Sequence, residues 1–154
     1  MAADKFAISR WTAEERLDEL LAVVQAAFAG LAPPSSVMNE TVADLTRRLR
    51  DGLVLVARAD DSFIGSVFAA RQGDALYLTR LAVAPSWRRR GVGRALMVAA
   101  ESEARSAGLP RLILRVRTSL SGNRAYFEGQ GFAVTGQGQD PGRAPYAVME
   151  RTLR

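Results

Sequence analysis

The segment that decides the fold is residues 81–94, LAVAPSWRRRGVGR, in which an apolar strand end passes through a proline into an arginine- and glycine-rich turn. Apolar residues then recur at helical spacing from Val92 to Ala104, and Gly108 and Pro110 end the pattern. Free backbone N–H groups at the start of such a helix lie at the positive end of its dipole and suit a phosphate. The turn therefore indicates either an anion site or a glycine-rich turn flanked by solvated arginines.

Strand patterns surround this turn. Residues 53–57, 63–70 and 75–84 have strand periodicity and are separated by short turns, which predicts an antiparallel meander. Residues 112–117 alternate apolar side chains with arginines and form the next strand after the helix. A strand–helix–strand crossover of this kind is right-handed and places its two strands parallel.

The last strand of the meander contains a phase slip. Leu76 and Leu78 share one face, whereas Leu81 and Val83 stand an odd number of positions away and fall on the opposite face of a regular strand. A β-bulge near Thr79 and Arg80 would absorb this slip and leave backbone groups unpaired. The alternative is a strand buried on both faces.

Two helices are expected before the meander. Residues 12–15, Thr-Ala-Glu-Glu, have the spacing of a capping box, and an apolar stripe from Leu17 to Phe28 follows. Asn39 or Thr41 is expected to cap a second helix that ends at residues 51–52. Residues 33–39 should then form an exposed loop, and the arginines at 47, 48 and 50 a solvated helix face.

The end of the chain predicts a short helix and a hairpin. The helix is expected over 124–130, with Gly131 ending it. Residues 132–135 and 146–153 should pair antiparallel across the loop 136–145.

Length and composition restrict the function. The 154 residues predict a single domain over 1–154, and the absence of Cys and His excludes disulfides, thiolate nucleophiles and imidazole bases. We expect no metal, because the Asp and Glu residues have no calcium-loop spacing. The net charge of +5, carried almost wholly by arginine, is compatible with an anionic cofactor, a nucleic acid or a solvated surface. Residues 1–10 do not resemble a secretory signal and no apolar window is long enough to span a membrane, so a cytoplasmic protein is expected.

Taken together, these motifs resemble the GNAT superfamily of acetyl-CoA-dependent N-acetyltransferases. The resemblance rests on LAVAP at 81–85, on Arg88-x-x-Gly91-x-Gly93, and on NRAYF at 123–127 leading to Gly131-Phe132. It implies a single-domain α/β (α+β) fold with a mixed, mostly antiparallel central sheet, a bulged strand and flanking helices. It also implies an enzyme that moves the acetyl group of acetyl-CoA to a primary amine.

The resemblance assigns a cofactor site residue by residue. Residues 88–94 would wrap the pyrophosphate of acetyl-CoA mainly through backbone amides, at the places where side chains would collide with it. Leu81 and Val83 would bind the pantetheine, with the Val83 N–H at the thioester carbonyl, and Asn123 and Tyr126 would complete the site. The wrapping residues are Arg88, Arg89, Arg90, Gly91, Val92, Gly93 and Arg94.

One position departs from the family pattern. The tyrosine that protonates the leaving thiolate usually stands four residues before the Gly of the Gly-Phe pair, where this chain has Phe127 and places Tyr126 one step earlier. One step is about 100° around a helix. Either the helix entry rotates Tyr126 toward the sulfur, or the thiolate leaves without a side-chain acid. Tyr126 could otherwise be a half-buried core aromatic, and Asn123 a helix cap.

The base and the acceptor are less well defined by the sequence. Asp74, Glu40 and Asp140 are candidate bases by position, and water is the alternative. The resemblance implies an acceptor site framed by loops 31–40 and 136–145, which contain Glu40, Asp140 and Arg143, and two acids are too few for a polycationic acceptor. A monoamine, an amino-acid-like compound or a peptide N-terminus fits better, and we prefer a small-molecule amine to a protein N-terminus.

Two other classes of function stay open. One is a non-catalytic member that binds acetyl-CoA, and the other is an arginine-rich nucleic-acid-binding module. Neither nucleic-acid nor membrane binding is expected, and a homodimer is compatible with the sequence.

Overall fold

In a computed structural model that describes residues 5–12 and 16–153, a seven-stranded sheet carries helices on both faces. The strand order is β1-β2-β3-β4-β5-β7-β6, and β4 with β5 is the parallel pair. The strands are β1 Ala7–Arg10, β2 Leu53–Ala59, β3 Ser62–Gln72, β4 Ala75–Val83, β5 Arg111–Arg117, β6 Ala133–Gly138 and β7 Tyr146–Thr152. The helices are α1 Leu17–Phe28, α2 Val42–Asp51, α3 Val92–Ser106 and α4 Ser121–Glu128. The mixed, mostly antiparallel sheet expected from the sequence is confirmed.

Two apolar cores lie on opposite faces of the sheet. One core packs α3 and the α4 residue Phe127 against β4 and β5, and the other packs α1 and α2 against β2 and β3. Leu20, Val24 and Leu45 are fully buried in the second core, as the helical stripes predict. The sheet therefore has an α3–α4 face and an α1–α2 face.

The phase slip in β4 is a bulge. Phe68 pairs with Thr79 and Ser66 pairs with Ala82, so that one residue of β3 opposes both Arg80 and Leu81. Arg80 has φ +53°, a left-handed conformation. As a result Leu76, Leu78, Leu81 and Val83 all face the α3–α4 core, while Ala82 lies in the α1–α2 core, so β4 contains the bulge and is also covered on both faces.

Several expected boundaries differ from the observed ones. The expected capping box spans residues 12–15, of which 13–15 lie outside the described residues, and α1 is described from Leu17. Thr41 does cap α2, and its hydroxyl accepts a hydrogen bond from the Asp44 N–H at 3.3 Å. The loop 33–39 is not fully exposed, because it contains a 3-10 turn, Ser36–Asn39, that buries Val37 in the α1–α2 core. Within the described part of the chain, no helix combines the length and apolar character needed to cross a membrane.

Candidate functional site

The central feature of the site is a fork between β4 and β5. Residues 75–77 of β4 pair with residues 111–113 of β5. Beyond Tyr77 and Ile113 the two strands no longer pair with each other, although β4 extends to Val83 and β5 extends to Arg117. The bulge at Arg80 and Leu81 lies in the separating half of β4 and bends it. A gap therefore opens between the carboxyl ends of the two parallel strands.

The bulged strand presents main-chain groups to this gap. The Ala84 N–H donates to the Ile64 carbonyl of β3 at 2.8 Å. Because N–H groups alternate between the two edges of a regular strand, that of Val83 points toward the gap. Val83 is the position that the resemblance assigned to the thioester carbonyl, and Leu81, the other assigned position, is a residue of the bulge.

The start of α3 presents further donors. Gly91 stands at the N-cap of α3 with φ +83° and provides no side-chain cap. The N–H groups of Val92, Gly93 and Arg94 lie in the first turn, where a helix offers no carbonyl of its own to accept from them. A Cβ on Gly91 would contact nothing within 4 Å, so glycine is required there by its left-handed φ rather than by crowding within the chain. Arg89 also has a positive φ of 62°. This arrangement fits a pyrophosphate bound by main-chain amides.

The arginine side chains of the turn diverge. Arg88 donates to the Ala27 carbonyl at the end of α1 at 3.4 Å, and Arg90 stacks on Trp87 with its guanidinium carbon 4.8 Å from a ring centroid. Arg89 and Arg94 are exposed. The turn is therefore surrounded by positive charge, while its centre consists of backbone.

Tyr126, and not Phe127, is the residue of α4 that faces the site. Phe127 is 8% exposed and packs against Phe132 in the α3–α4 core, whereas Tyr126 is 43% exposed. A Cβ on Gly93 would stand 3.2 Å from the Tyr126 hydroxyl and 3.7 Å from the Val83 side chain. The hydroxyl therefore lies between the first turn of α3 and the end of β4. The interpretation of Tyr126 as a half-buried core aromatic is wrong.

The first turn of α4 begins earlier than expected. The helix starts at Ser121 rather than at residue 124, with Leu120 at its N-cap and no side-chain cap. Asn123 is thus an exposed residue within the first turn, and its N–H donates to the Leu120 carbonyl at 3.0 Å. The alternative that Asn123 is a helix cap is wrong. Gly131, with φ +91°, follows the helix end as predicted.

On the other face of the sheet, Glu40 is held by two arginines. Arg80 donates to both Glu40 carboxylate oxygens, at 2.7 and 2.9 Å, and Arg48 donates to one of them at 2.8 Å. The side chains of Glu40 and Arg80 are only 8% and 10% exposed, whereas Arg48 is 39% exposed. Arg48 is therefore not a purely solvated residue of α2, and Glu40 ties the loop before α2 to the bulge of β4.

The other candidate bases lie at different ends of the sheet. Asp74 lies at the opposite end of β4 from the fork, where Arg111 donates to it at 3.2 Å, and this hydrogen bond lowers the pKa of the Asp74 carboxyl. Asp140 lies near the fork, 60% exposed and 3.7 Å from the Arg115 guanidinium. Of the three carboxylates that the sequence suggested, Asp140 is the one next to an open cleft.

This cleft has a volume of about 230 Å³ and lies on the α1–α2 face of β5. Residues 34–36 form one wall, and residues from 140 to 146 form the other. Arg115 and Arg117 project from its floor, and Arg143 stands on its rim. The two loops expected to frame the acceptor site therefore meet at one cleft.

The sequence placed Arg143 in a loop expected to frame the acceptor site, but it did not indicate the roles of Arg115 and Arg117 in this cleft or the ion pairs of Glu40. The alternation in β5 identified Arg115 and Arg117 as one face of a strand, but the loops over that face are distant in sequence. The signal for Arg80 was its place at the phase slip of β4, where a charged side chain interrupts an apolar pattern.

A second cleft, of about 330 Å³, lies at the other end of the sheet beside the Arg10–Glu103 ion pair. It is lined by Gly52 and Leu109 rather than by residues of the fork, and it has no part in the site. Within the described residues, no group of three or more acidic side chains is arranged to hold a metal ion.

Comparisons with known proteins agree with this geometry. The sequence profile of the acetyltransferase (GNAT) family matches residues 16–132, whereas a search of curated proteins finds no significant match. The PaiA N-acetyltransferase of Thermoplasma acidophilum, crystallised with coenzyme A, is 22% identical with a TM-score of 0.82 over 97% of this chain and 99% of that one. The Escherichia coli ribosomal-protein-S18-alanine N-acetyltransferase is 21% identical with a TM-score of 0.79 over 97% and 94%.

A ribosomal-protein-alanine N-acetyltransferase from Brucella melitensis is 26% identical, with a TM-score of 0.75 over 96% of this chain and 99% of that one. Each of these three matches covers at least 96% of this chain, and the profile covers the bulged strand, the glycine turn and the whole of α4. This chain belongs to the GNAT acetyltransferase family and is an acyl-CoA-dependent N-acetyltransferase whose co-substrate is acetyl-CoA.

Proposed function

We propose that the whole chain, residues 1–154, acts as one domain that transfers the acetyl group of acetyl-CoA directly to a primary amine of a small molecule. The observation that carries this proposal is the position of the Tyr126 hydroxyl beside Gly93 and Val83, at the fork of β4 and β5. A proton donor, an N–H of the bulged strand and the first turn of α3 converge there. No enzyme nucleophile is needed, which fits a chain without Cys or His.

The cofactor site is built mainly from backbone. The N–H groups of Val92, Gly93 and Arg94 would bind the pyrophosphate, and the arginines at 88–90 would supply positive charge around it. Leu81 and Val83 would bind the pantetheine through their main chains. Asn123 is exposed in the first turn of α4 and would contact the cofactor from that side.

Acetyl-CoA supplies an acetyl thioester, and the chain's own groups would promote its transfer. The Val83 N–H would donate to the carbonyl oxygen while the neutral amine attacks and negative charge develops there. Tyr126 would give its hydroxyl proton to the sulfur as the C–S bond breaks. The surplus proton of the amine passes to water at the open cleft, and the tyrosinate regains a proton from solvent.

The cleft on the α1–α2 face supports a small acceptor. Its volume of about 230 Å³ is below the range of about 300–1,000 Å³ that is usual for drug-sized ligands. The Arg117 guanidinium also donates to the Pro33 carbonyl and thereby bridges β5 and the loop before α2. An extended peptide would have to pass this bridge, whereas an amino-acid-sized molecule would not.

The test is an acceptor screen that measures CoA release and acetylated product with the full chain. We expect turnover with one or more small primary amines at a higher kcat/KM than with short peptides. Turnover confined to peptides would favour the alternative of a protein N-terminal acetyltransferase. Tight acetyl-CoA binding without turnover of any amine would favour a non-catalytic member.

Three further expectations stay predictions. They are a cytoplasmic location, the lack of specific nucleic-acid binding, and an oligomeric state for which a homodimer is one compatible arrangement. A sub-micromolar complex with duplex DNA or RNA at physiological salt would contradict the second of them, because the arginine-rich turn is accounted for by the cofactor.

A further inference from the structure

We propose that the acceptor amine carries its own anionic group, a carboxylate or a phosphonate, which the arginines of the acceptor-side cleft bind. This inference rests on the proposed function and specifies its substrate class. The cleft presents the guanidinium groups of Arg115, Arg117 and Arg143 against the single carboxylate of Asp140. A concave surface with this surplus of positive charge favours an anion over a second cation.

These guanidinium groups are available to a ligand to different degrees. Arg115 stacks on the Tyr146 ring, with its guanidinium carbon 4.4 Å from the centroid, and its ion pair with Asp140 is long at 3.7 Å. Arg143 is exposed, and its side chain makes no ion pair within residues 5–12 and 16–153. Arg117 has a neutral partner, the Pro33 carbonyl. Within the described residues, the 3.7 Å pair of Arg115 with Asp140 is the one ion pair that these three arginines make.

The chemistry of these side chains specifies the kind of anion. A guanidinium offers two parallel N–H donors that match the two oxygens of a carboxylate or of a phosphonate. Stacking on Tyr146 orients the plane of Arg115 before a ligand arrives, which lowers the entropy lost on binding. The cleft is therefore suited to a planar or tetrahedral oxyanion at a defined place.

The cleft is also connected to the reaction centre. Arg115 stands two residues beyond Ile113, where the pairing of β5 with β4 ends, and its guanidinium lies 5.8 Å from the Tyr77 ring of β4. Two residues of strand span about 7 Å. An acceptor that binds Arg115 through its acid group can thus direct an amine a few bonds away into the fork.

The neighbouring acidic residue does not offset this charge. Glu40 is already bound by Arg48 and Arg80, so its carboxylate is not available for an ammonium group of a ligand. A diamine or polyamine would therefore place its second ammonium among arginines, with Asp140 as the remaining carboxylate of the cleft. Such acceptors are expected to be poor.

The experiment compares acceptors that differ only in charge. The kcat/KM for CoA release is measured with free amino acids and with the corresponding amino acid amides, and 3-aminopropionate is compared with 2-aminoethylphosphonate. In parallel, the Tm of the CoA-saturated protein is recorded with the same compounds, which reports binding without turnover. We expect the kcat/KM of each free amino acid to exceed that of its amide at least tenfold. The comparison of 3-aminopropionate with 2-aminoethylphosphonate then shows whether the cleft prefers a carboxylate or a phosphonate.

Variants then assign the preference to the cleft. Arg143→Gln should lower the ratio of acid to amide about tenfold, and Arg143→Lys should restore part of it. Arg50→Gln, which removes an exposed arginine at the far end of α2, is the matched control and should leave the ratio unchanged.

The outcomes separate this inference from the proposed function. Turnover of amides or of diamines at rates equal to those of acids would overturn the inference while leaving the small-amine transferase intact. An acid preference that persists in both Arg143→Gln and the double variant Arg115→Gln/Arg143→Gln would overturn it as well. Equal turnover of a free acid and of a peptide whose carboxylate lies far from its N-terminus would also count against it.

Discussion

The two sides of the β4–β5 fork are built from different kinds of groups. On the α3–α4 face, the proposed cofactor site consists mainly of main-chain N–H groups from the contiguous residues 81–94, and Tyr126 is the main side chain that we add to them. On the α1–α2 face, it consists of side chains that come from distant parts of the chain, such as Ser35, Arg115 and Arg143. The α3–α4 side is thus formed by one continuous segment, whereas the α1–α2 side is formed by loops that are distant in sequence.

This difference teaches how each side tolerates sequence change. A main-chain site depends on backbone conformation, so it demands glycine at particular positions and is indifferent to many side chains. A side-chain site can be altered one residue at a time without disturbing the sheet. The chain can therefore keep one cofactor while its acceptor specificity changes.

The largest effect is expected at Gly91. Gly91→Val should abolish acetyl-CoA binding, with at least about a 100-fold loss of affinity, because valine cannot adopt φ +83° without strain and the N–H groups of α3 would move. Calorimetry with acetyl-CoA measures the loss. The matched control is Gly108→Val, which imposes similar strain at φ +72° where a Cβ also meets nothing within 4 Å. Equal binding in both variants would mean that the turn does not hold the phosphates.

The next effect is expected at Tyr126. Tyr126→Phe should lower kcat about 100-fold while acetyl-CoA affinity stays nearly intact, because the hydroxyl acts mainly in the transition state. Steady-state kinetics and calorimetry on the same preparation measure the two quantities.

Phe127→Tyr provides the control for this assignment. Its hydroxyl would lie in the α3–α4 core beside Phe132, so it should not restore the activity of Tyr126→Phe. Near-normal turnover in Tyr126→Phe would make the phenol structural. A rate above wild type in Phe127→Tyr would instead place the acid at residue 127.

A smaller effect is expected from the ion pairs that join the acceptor side to the bulge. Glu40→Gln should lower the free energy of unfolding by about 2–4 kcal/mol, because it leaves the buried Arg80 guanidinium without its charge partner. Displacement of the bulge should also lower kcat. Arg48→Gln should lower the free energy of unfolding by less than about 1 kcal/mol, because Arg48 is 39% exposed and the ion pair of Glu40 with Arg80 remains. Denaturant unfolding compares the two variants, and equal losses would contradict this account.

The smallest effect is expected from single arginines on the cofactor side. Arg94→Gln should weaken acetyl-CoA binding only about two- to fivefold, because the exposed side chain adds a screened charge while the main-chain N–H remains. A 100-fold loss in this variant, measured by calorimetry, would show that side chains rather than amides hold the pyrophosphate.

Much of the cofactor side was predictable because its determinants are local. Residues 88–94 predicted the turn and helix start, and the odd spacing between Leu78 and Leu81 predicted the bulge, since a period of two makes any slip visible. The position of Tyr126 was only partly predictable. A one-residue shift moves a side chain about 100° around a helix, and α4 begins three residues earlier than the sequence indicated.

Hydrophobic periodicity and turn chemistry act over a few neighbouring residues, so the sequence alone predicted the element order, the parallel crossover and the glycine turn at Gly91 where we propose an anion site. The ion pairs of Glu40 with Arg80 and Arg48, and the cleft that Arg115, Arg117 and Arg143 line together, were visible in the folded chain alone. Glu40 and Arg80 are 40 positions apart and Pro33 and Arg117 are 84 positions apart, and no local pattern encodes which loops meet. The physical reason is that side-chain charges pair through space once the sheet has brought them together, whereas backbone conformation is set along the chain.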